Sequence, residues 1–130
     1  MARGGYVLRE AEGEAEVVLM GTGSELALAV EAADELTAAG HRVRVVSMPS
    51  VDVFLAQDES YRRQVLGPEG LPRVAVEAGA PLGWYTLVGQ RGTVLGLEGF
   101  GASAPAAEVY RHFGLTAAAV AEAARRLLEG

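Results

Sequence analysis

Two carboxylates come first among the residues that could do chemistry. Glu77 follows the segment RVAV and Glu98 follows TVLGL, so each stands near the C-terminal end of a predicted strand. Ligands of open α/β sheets bind along that edge, which makes Glu77 and Glu98 candidates for a site. Capping a neighbouring helix or pairing with an arginine is the plainer use of both. The second candidate is the turn Thr22, Gly23, Ser24 inside VVLMGTGSELALAV, residues 17–30. It reads as a strand feeding a helix, and the free N–H groups and dipole of a helix start attract anions. It is not a dinucleotide fingerprint, because Leu26 stands at the third glycine position and SMPS, without an acid, ends the next strand. It is not a Walker loop either, since the spacing is wrong and the chain has no lysine. Thr22 and Glu25 have the T-x-x-E spacing of a capping box, which would consume a donor and place a negative charge where an anion would sit. A plain capped turn and an anion site therefore compete for these three residues.

No catalytic residue emerges. The histidines, His41 and His112, fall beside predicted helix ends, and no His-x-x-x-His or G-x-S-x-G pattern occurs. Without cysteine there is no thiolate nucleophile, disulfide or cysteine-ligated metal. Without lysine there is no Schiff base. Arg62 and Arg63 could clamp a phosphate, but they share an acidic stretch with Asp58 and Glu59 and read as a solvated helix face. Trp84, Tyr85, Phe100 and Tyr110 lie in or near predicted loops, where aromatics mark either a contact surface or the lid of a core.

Composition bounds the rest. The 130 residues are half apolar and 22% charged, as expected of one globular domain spanning 1–130. A net charge of −6 argues against nucleic acid, which needs clustered positive charge. No apolar run reaches the roughly 18–20 residues that cross a bilayer, and the first ten residues lack a signal-peptide core. A cytoplasmic location is the expectation. Lys, Asn, Ile and Cys are all missing, which fits a GC-rich genome and is compatible with a hot-living source.

The elements that must position these groups follow from periodicity. GYVLR, 5–9, is a short β-prone segment, and EVVLMG, 16–21, is a strand apolar throughout. Ser24 to Ala39 is helical, with Leu26, Val30, Ala33 and Leu36 on one stripe, and Gly40 suits the position after its C-cap. HRVRVVSMP is the next strand, SVDVFLAQDESYRRQVLG one or two short helices, RVAVEAG a third core strand and TVLGLEG another. Residues 81–90 are ambiguous. A helix from Pro105 to about His112 is expected, and then one from a Thr116 cap through Leu128 with Val120, Ala124 and Leu127 inside. This alternation gives an α/β domain whose mostly parallel sheet is covered on both faces. The turn after the first strand is too short for a parallel crossover, so the sheet should be mixed.

Several segments together resemble the C-terminal domain of transketolase: VVLMGTGSELALAVEAADEL, VRVVSMPS, RVAVEAG, GWYTLVG and FGASAPAAEVYRHFGLT, in that order. RVVSMPS and FGASAP followed by FGLT are the most specific. The resemblance runs from about Gly5 to Leu128 and implies a three-layer α/β/α sandwich with a five-stranded mixed sheet, one strand antiparallel. It further implies that the chain is part of a larger homodimeric enzyme that uses thiamine diphosphate and magnesium to move a two-carbon ketol unit between sugar phosphates. The cofactor segments of that family lie in its other domains, so none is expected to be bound here. Contacts to those domains or to a second subunit would then be the role of Trp84, Tyr85 and Phe100. Two other readings remain: the docking domain of a 2-oxoacid dehydrogenase β-type subunit, and a free-standing module for a phosphorylated metabolite.

Overall fold

In a computed structural model, the structure describes residues 3–68, 70–76, 92–96, 99–100 and 116–129. Strand β2 (Val17–Gly21) lies at the centre, every residue of it buried. Its continuous apolar run follows from cover on both faces. Val17 and Leu19 point to one layer, where they meet Ala29, Ala32, Ala33 and Leu36 of helix α1 (Ser24–Ala38) and Val120 and Ala124 of helix α4 (Ala117–Glu129). Val18 and Met20 point to the other, against Phe54 of α2 (Val51–Leu55) and Val65 and Leu66 of α3 (Glu59–Leu66). The expected three-layer α/β/α sandwich is the fold.

Strands β3 (Val43–Ser47) and β4 (Arg73–Val76) flank β2 and run parallel to it, with β5 (Gly92–Gly96) parallel beyond β4. Strand β1 (Tyr6–Arg9) is antiparallel, as expected of a mixed sheet, but its neighbour is β3 rather than β2, to which the short segment after it leads. The order is β1-β3-β2-β4-β5-β6. The described sheet thus has six strands, not five, and two antiparallel pairings, not one. The extra strand is β6 (Gly99–Phe100), a two-residue return that places Gly99 opposite Gly96 and Phe100 opposite Leu95. The segment 93–99, read above as one strand, therefore splits. Leu8 is the extra residue of a bulge in β1: Val7 faces Val46 and Arg9 faces Val45.

The helix ends follow local chemistry. Gly40 has φ 97° and donates its N–H to the Thr37 carbonyl, while His41 N–H reaches the Leu36 carbonyl, a Schellman closure of α1. Ser50 Oγ accepts from Val53 N–H, Asp58 Oδ1 from Tyr61 N–H and Thr116 Oγ1 from Ala119 N–H, capping α2, α3 and α4. The stripe of α1 differs slightly from expectation: Ala29 and Ala32 join Ala33 and Leu36 in full burial, while Leu26 and Val30 are only partly covered. Small residues at its centre let the helix lie close to the sheet and to α4.

The chain leading into β1 is also fixed. Tyr61 Oη donates to the Gly5 carbonyl at 2.8 Å, and the Arg3 guanidinium lies 4.4 Å from the Tyr61 ring centroid. Gly4, at φ 80°, presses so close to α2 that a Cβ there would stand 2.4 Å from Phe54 N and Ser50 O.

Candidate functional site

Strand order places the topological switch point between β2 and β4: the chain leaves β2 through α1 toward β3 on one side, and β4 lies on the other. Gly21 and Val76, the last residues of those strands, are register partners. The turn Thr22, Gly23, Ser24 springs from this point. Gly21 is the close-packing residue, because a Cβ on it would stand 3.2 Å from Glu25 O and 3.3 Å from Leu26 Cα. Its carbonyl accepts the Met48 N–H at 2.9 Å, tying the ends of β2 and β3 together.

The capping box expected between Thr22 and Glu25 does not form, because the helix starts one residue later than that spacing needs. Gly23 is the N-cap, at φ 57°, so no side-chain cap is made there. Glu25 N–H instead donates to the Thr22 backbone carbonyl at 3.1 Å, and Leu26 N–H to the Gly23 carbonyl at 3.2 Å. Space around Gly23 is open. The turn therefore presents the start of α1 toward solvent, with the Glu25 carboxylate in the first turn of the same helix. The dipole favours an anion there and the carboxylate opposes one.

Of the other sequence candidates, Glu77, Trp84, Tyr85, Glu98, Tyr110 and His112 lie outside the described residues. Phe100 ends β6. Arg62 lies on α3, where its Nε donates to the Gln57 carbonyl at 3.1 Å, as a helix-face arginine would. Among the described residues no group of three or more His, Cys, Asp or Glu side chains could hold a metal ion.

The opposite, N-terminal edge of the sheet carries a denser arrangement of charge, which sequence reading missed. A cleft of about 470 Å³ opens there, lined by residues that include Arg9, Glu10, Asp34, Thr37, His41 and Arg42. Arg44 grips Glu10 with two bonds, 2.8 Å from Nε and 3.1 Å from Nη2. That guanidinium holds the Glu10 carboxyl below the ordinary carboxylate range. Glu16 lies 3.0 Å from His41 Nδ1 and accepts the Arg42 N–H at 3.3 Å; the His41 contact leads in lowering its pKa, with Arg42 adding. Arg9 pairs with Asp34 of α1 at 2.8 Å. Arg9, Arg42, Arg44 and His41 each already face a carboxylate, so the described residues of the cleft offer an incoming ligand no uncommitted arginine or histidine. The signal in the sequence was alternation: EAEGEAE at 10–16 against HRVR at 41–44.

The chain matches the family model described as the transketolase-like TK C-terminal domain over residues 4–116. It is 57% identical over 129 residues to the plasmid transketolase of Cupriavidus necator, covering 99% of this chain and 19% of that protein. Among solved structures it superposes on a transketolase from Leishmania mexicana with a TM-score of 0.77 and 41% identity, covering 98% of this chain and 18% of that one. A transketolase from Pichia stipitis, solved in complex with sedoheptulose-7-phosphate, gives a TM-score of 0.76 and 36% identity over the same shares. The chain thus spans about a fifth of the length of the relatives it matches.

Proposed function

The chain belongs to the transketolase family as its C-terminal domain, and on that premise we propose that it is the architectural, non-catalytic domain of an enzyme that transfers a two-carbon ketol unit between sugar phosphates. One observation carries the reading. The carboxyl edge of the sheet, where an α/β domain of this type would hold a ligand, offers a helix start opposed by its own Glu25 carboxylate. The described residues supply no metal-binding group of carboxylates or imidazoles.

Thiamine diphosphate and magnesium are implied for the parent enzyme, and the donor set here does not fit them. A diphosphate held through a divalent cation needs several oxygen ligands around the ion. Among the described residues the helix start carries the one carboxylate of Glu25, which does not provide them, so no chemical step is derived through the cofactor in this domain. The complex of the Pichia relative with sedoheptulose-7-phosphate supports a phosphorylated ketose as the substrate class of the parent. Trp84, Tyr85 and Phe100 are proposed as contacts to the preceding domains or to a second subunit of a homodimer. Glu77 and Glu98 are proposed as carboxylates of the carboxyl edge of the sheet that cap a neighbouring helix or pair with an arginine, and the turn 22–24 as a connector. No described helix is long and apolar enough to cross a membrane, which agrees with a cytoplasmic enzyme.

The family match favours this reading over a 2-oxoacid dehydrogenase docking domain or a free-standing metabolite module. Calorimetric titration of the chain with thiamine diphosphate and magnesium, beside a ketol-transfer assay with a ketose phosphate and an aldose phosphate, tests it. No heat of binding and no transfer are expected. Saturable binding of the cofactor, or transfer by the chain alone, would place an active site here and sink the reading.

A further inference from the structure

Because β1 pairs with β3 while the next strand is β2, the connection 10–16 must cross the N-terminal end of β3. Its sequence is EAEGEAE: four carboxylates in seven residues and no apolar side chain larger than alanine. None of these residues is fully buried, and Glu12, Gly13 and Glu14 at the middle are exposed. The segment is held by polar contacts to the residues it crosses. Arg44 on β3 takes Glu10 at one end. At the other, Arg42 Nε donates to the Glu14 carbonyl at 2.6 Å, Glu16 N–H donates to the Arg42 carbonyl at 2.9 Å, and the Glu16 carboxylate faces His41 and Arg42. From α1, Asp34 shares the adjoining cleft and is held by Arg9.

We propose that residues 10–16 form an electrostatic strap across the end of β3, and that the strap opens as a unit, ahead of the core, when its carboxylates are neutralised or its ion pairs screened. Releasing it exposes little apolar surface, so the hydrophobic effect does not oppose the opening. The crowding of Glu10, Glu12, Glu14 and Glu16 favours opening, and two arginines, Arg42 and Arg44, with the His41 hydrogen bond, oppose it. Segments with few apolar contacts are those that open locally without global unfolding. Opening would take Glu10, Ala11 and Glu12 out of the wall of the cleft at this edge.

Amide hydrogen exchange on this chain, followed residue by residue, tests the proposal. The reporters are the Glu16 and Arg42 N–H groups, with Leu19 and Val45 as core references. At neutral pH, the pair of substitutions Glu10→Gln and Glu16→Gln should lower strap protection by about tenfold, as several part-exposed pairs acting together would give. Raising salt to roughly 1 M, where the screening length is ~3 Å, should do the same to the unsubstituted chain. Core protection should stay unchanged in both cases. Strap amides whose protection falls only in step with Leu19 and Val45 would overturn the proposal, because the segment would then belong to the cooperative core. Strap protection indifferent to both neutralisation and salt would overturn it too, because backbone contacts alone would then be holding it.

Discussion

Arg44 and Arg73 flank the same residue: both are register partners of Val18, one from β3 and one from β4. Both side chains end on the C-terminal end of α3. Arg44 Nη1 donates to the carbonyls of Gln64 and Val65 at 3.1 and 3.0 Å. Arg73 Nη2 donates to those of Gly67 and Pro68 at 3.0 and 3.1 Å. Two guanidinium groups thus meet the negative end of one short helix and satisfy carbonyls that have no helical partner.

Arg73 is almost fully buried, so Arg73→Ala should destabilise the chain by roughly 2–4 kcal/mol, since it removes charge-assisted bonds and strands two carbonyls. Arg73→Lys should recover little, because an ammonium lacks the planar fork. Denaturant titration of the two variants checks this; a loss below 1 kcal/mol for the alanine variant would mean that α3 is held by its apolar face alone.

Gly4 and Gly40 both have positive φ, but only Gly4 is enclosed. Gly40→Ala should cost about 1–2 kcal/mol from the left-handed backbone alone. Gly4→Ala must also displace the backbone of α2 and should cost clearly more, ~3 kcal/mol or above. Equal melting temperatures for the two variants would count against the close packing of residues 3–5 on α2.

Glu10 and Glu16 have pKa values lowered from an ordinary 4.5, Glu10 chiefly by its bond to Arg44 and Glu16 chiefly by its hydrogen bond with His41, with Arg42 adding. The sign follows from linkage. Their contribution to stability is complete above the unfolded value and is lost as pH falls through the lower folded values. Stability should therefore begin to drop below about pH 4.5, and Glu10→Gln with Glu16→Gln should flatten that limb. Both groups are partly exposed, so the effect is modest. Stability measured by urea titration at stepped acid pH gives the comparison, and an unchanged acid limb in the double variant would refute it.

Leu36 and Glu35 are neighbours on α1 with opposite fates, one fully buried and one exposed beside Arg125 of α4. Leu36→Ala should cost about 2–5 kcal/mol through the cavity it leaves. A double-mutant cycle on Glu35 and Arg125, whose contact is 3.2 Å, should return only 0.2–1 kcal/mol, approximately that of other exposed pairs. A coupling as large as the Leu36 loss would show that the helices are joined by charge rather than by packing.

What could be read from the sequence was what depends on local pattern. The unbroken apolar run of residues 17–20 announced a strand covered on both faces, and Gly40 and Thr116 mark helix ends where capping chemistry puts them. Pairing was less legible. Nothing in residues 5–9 distinguishes β3 from β2 as a neighbour, because that choice is made by which edge of the finished sheet is free. The Thr22–Glu25 spacing misled by one residue, since a glycine that tolerates φ 57° moved the helix start past the hydroxyl. The pairing at the charged edge was not legible for a simpler reason. Glu16 and Arg42 are 26 residues apart, and Glu10 and Arg44 are 34 apart, so only the fold brings these charges together. The turn at 22–24 does join a strand to a helix, as its pattern implies, but its position at the switch point follows from strand order, which local pattern does not carry.

The bulge at Leu8 and the brevity of β6 have a joint bearing on assembly. A sheet can grow from one molecule into the next only where its outermost strand offers a long, regular row of free amides and carbonyls. At one margin Leu8 breaks that row within a strand of four residues; at the other the row is two residues long. Among the described residues, neither margin offers a neighbour a long regular row to pair with, so crowding many copies together gives the described sheet no ready route to a fibre.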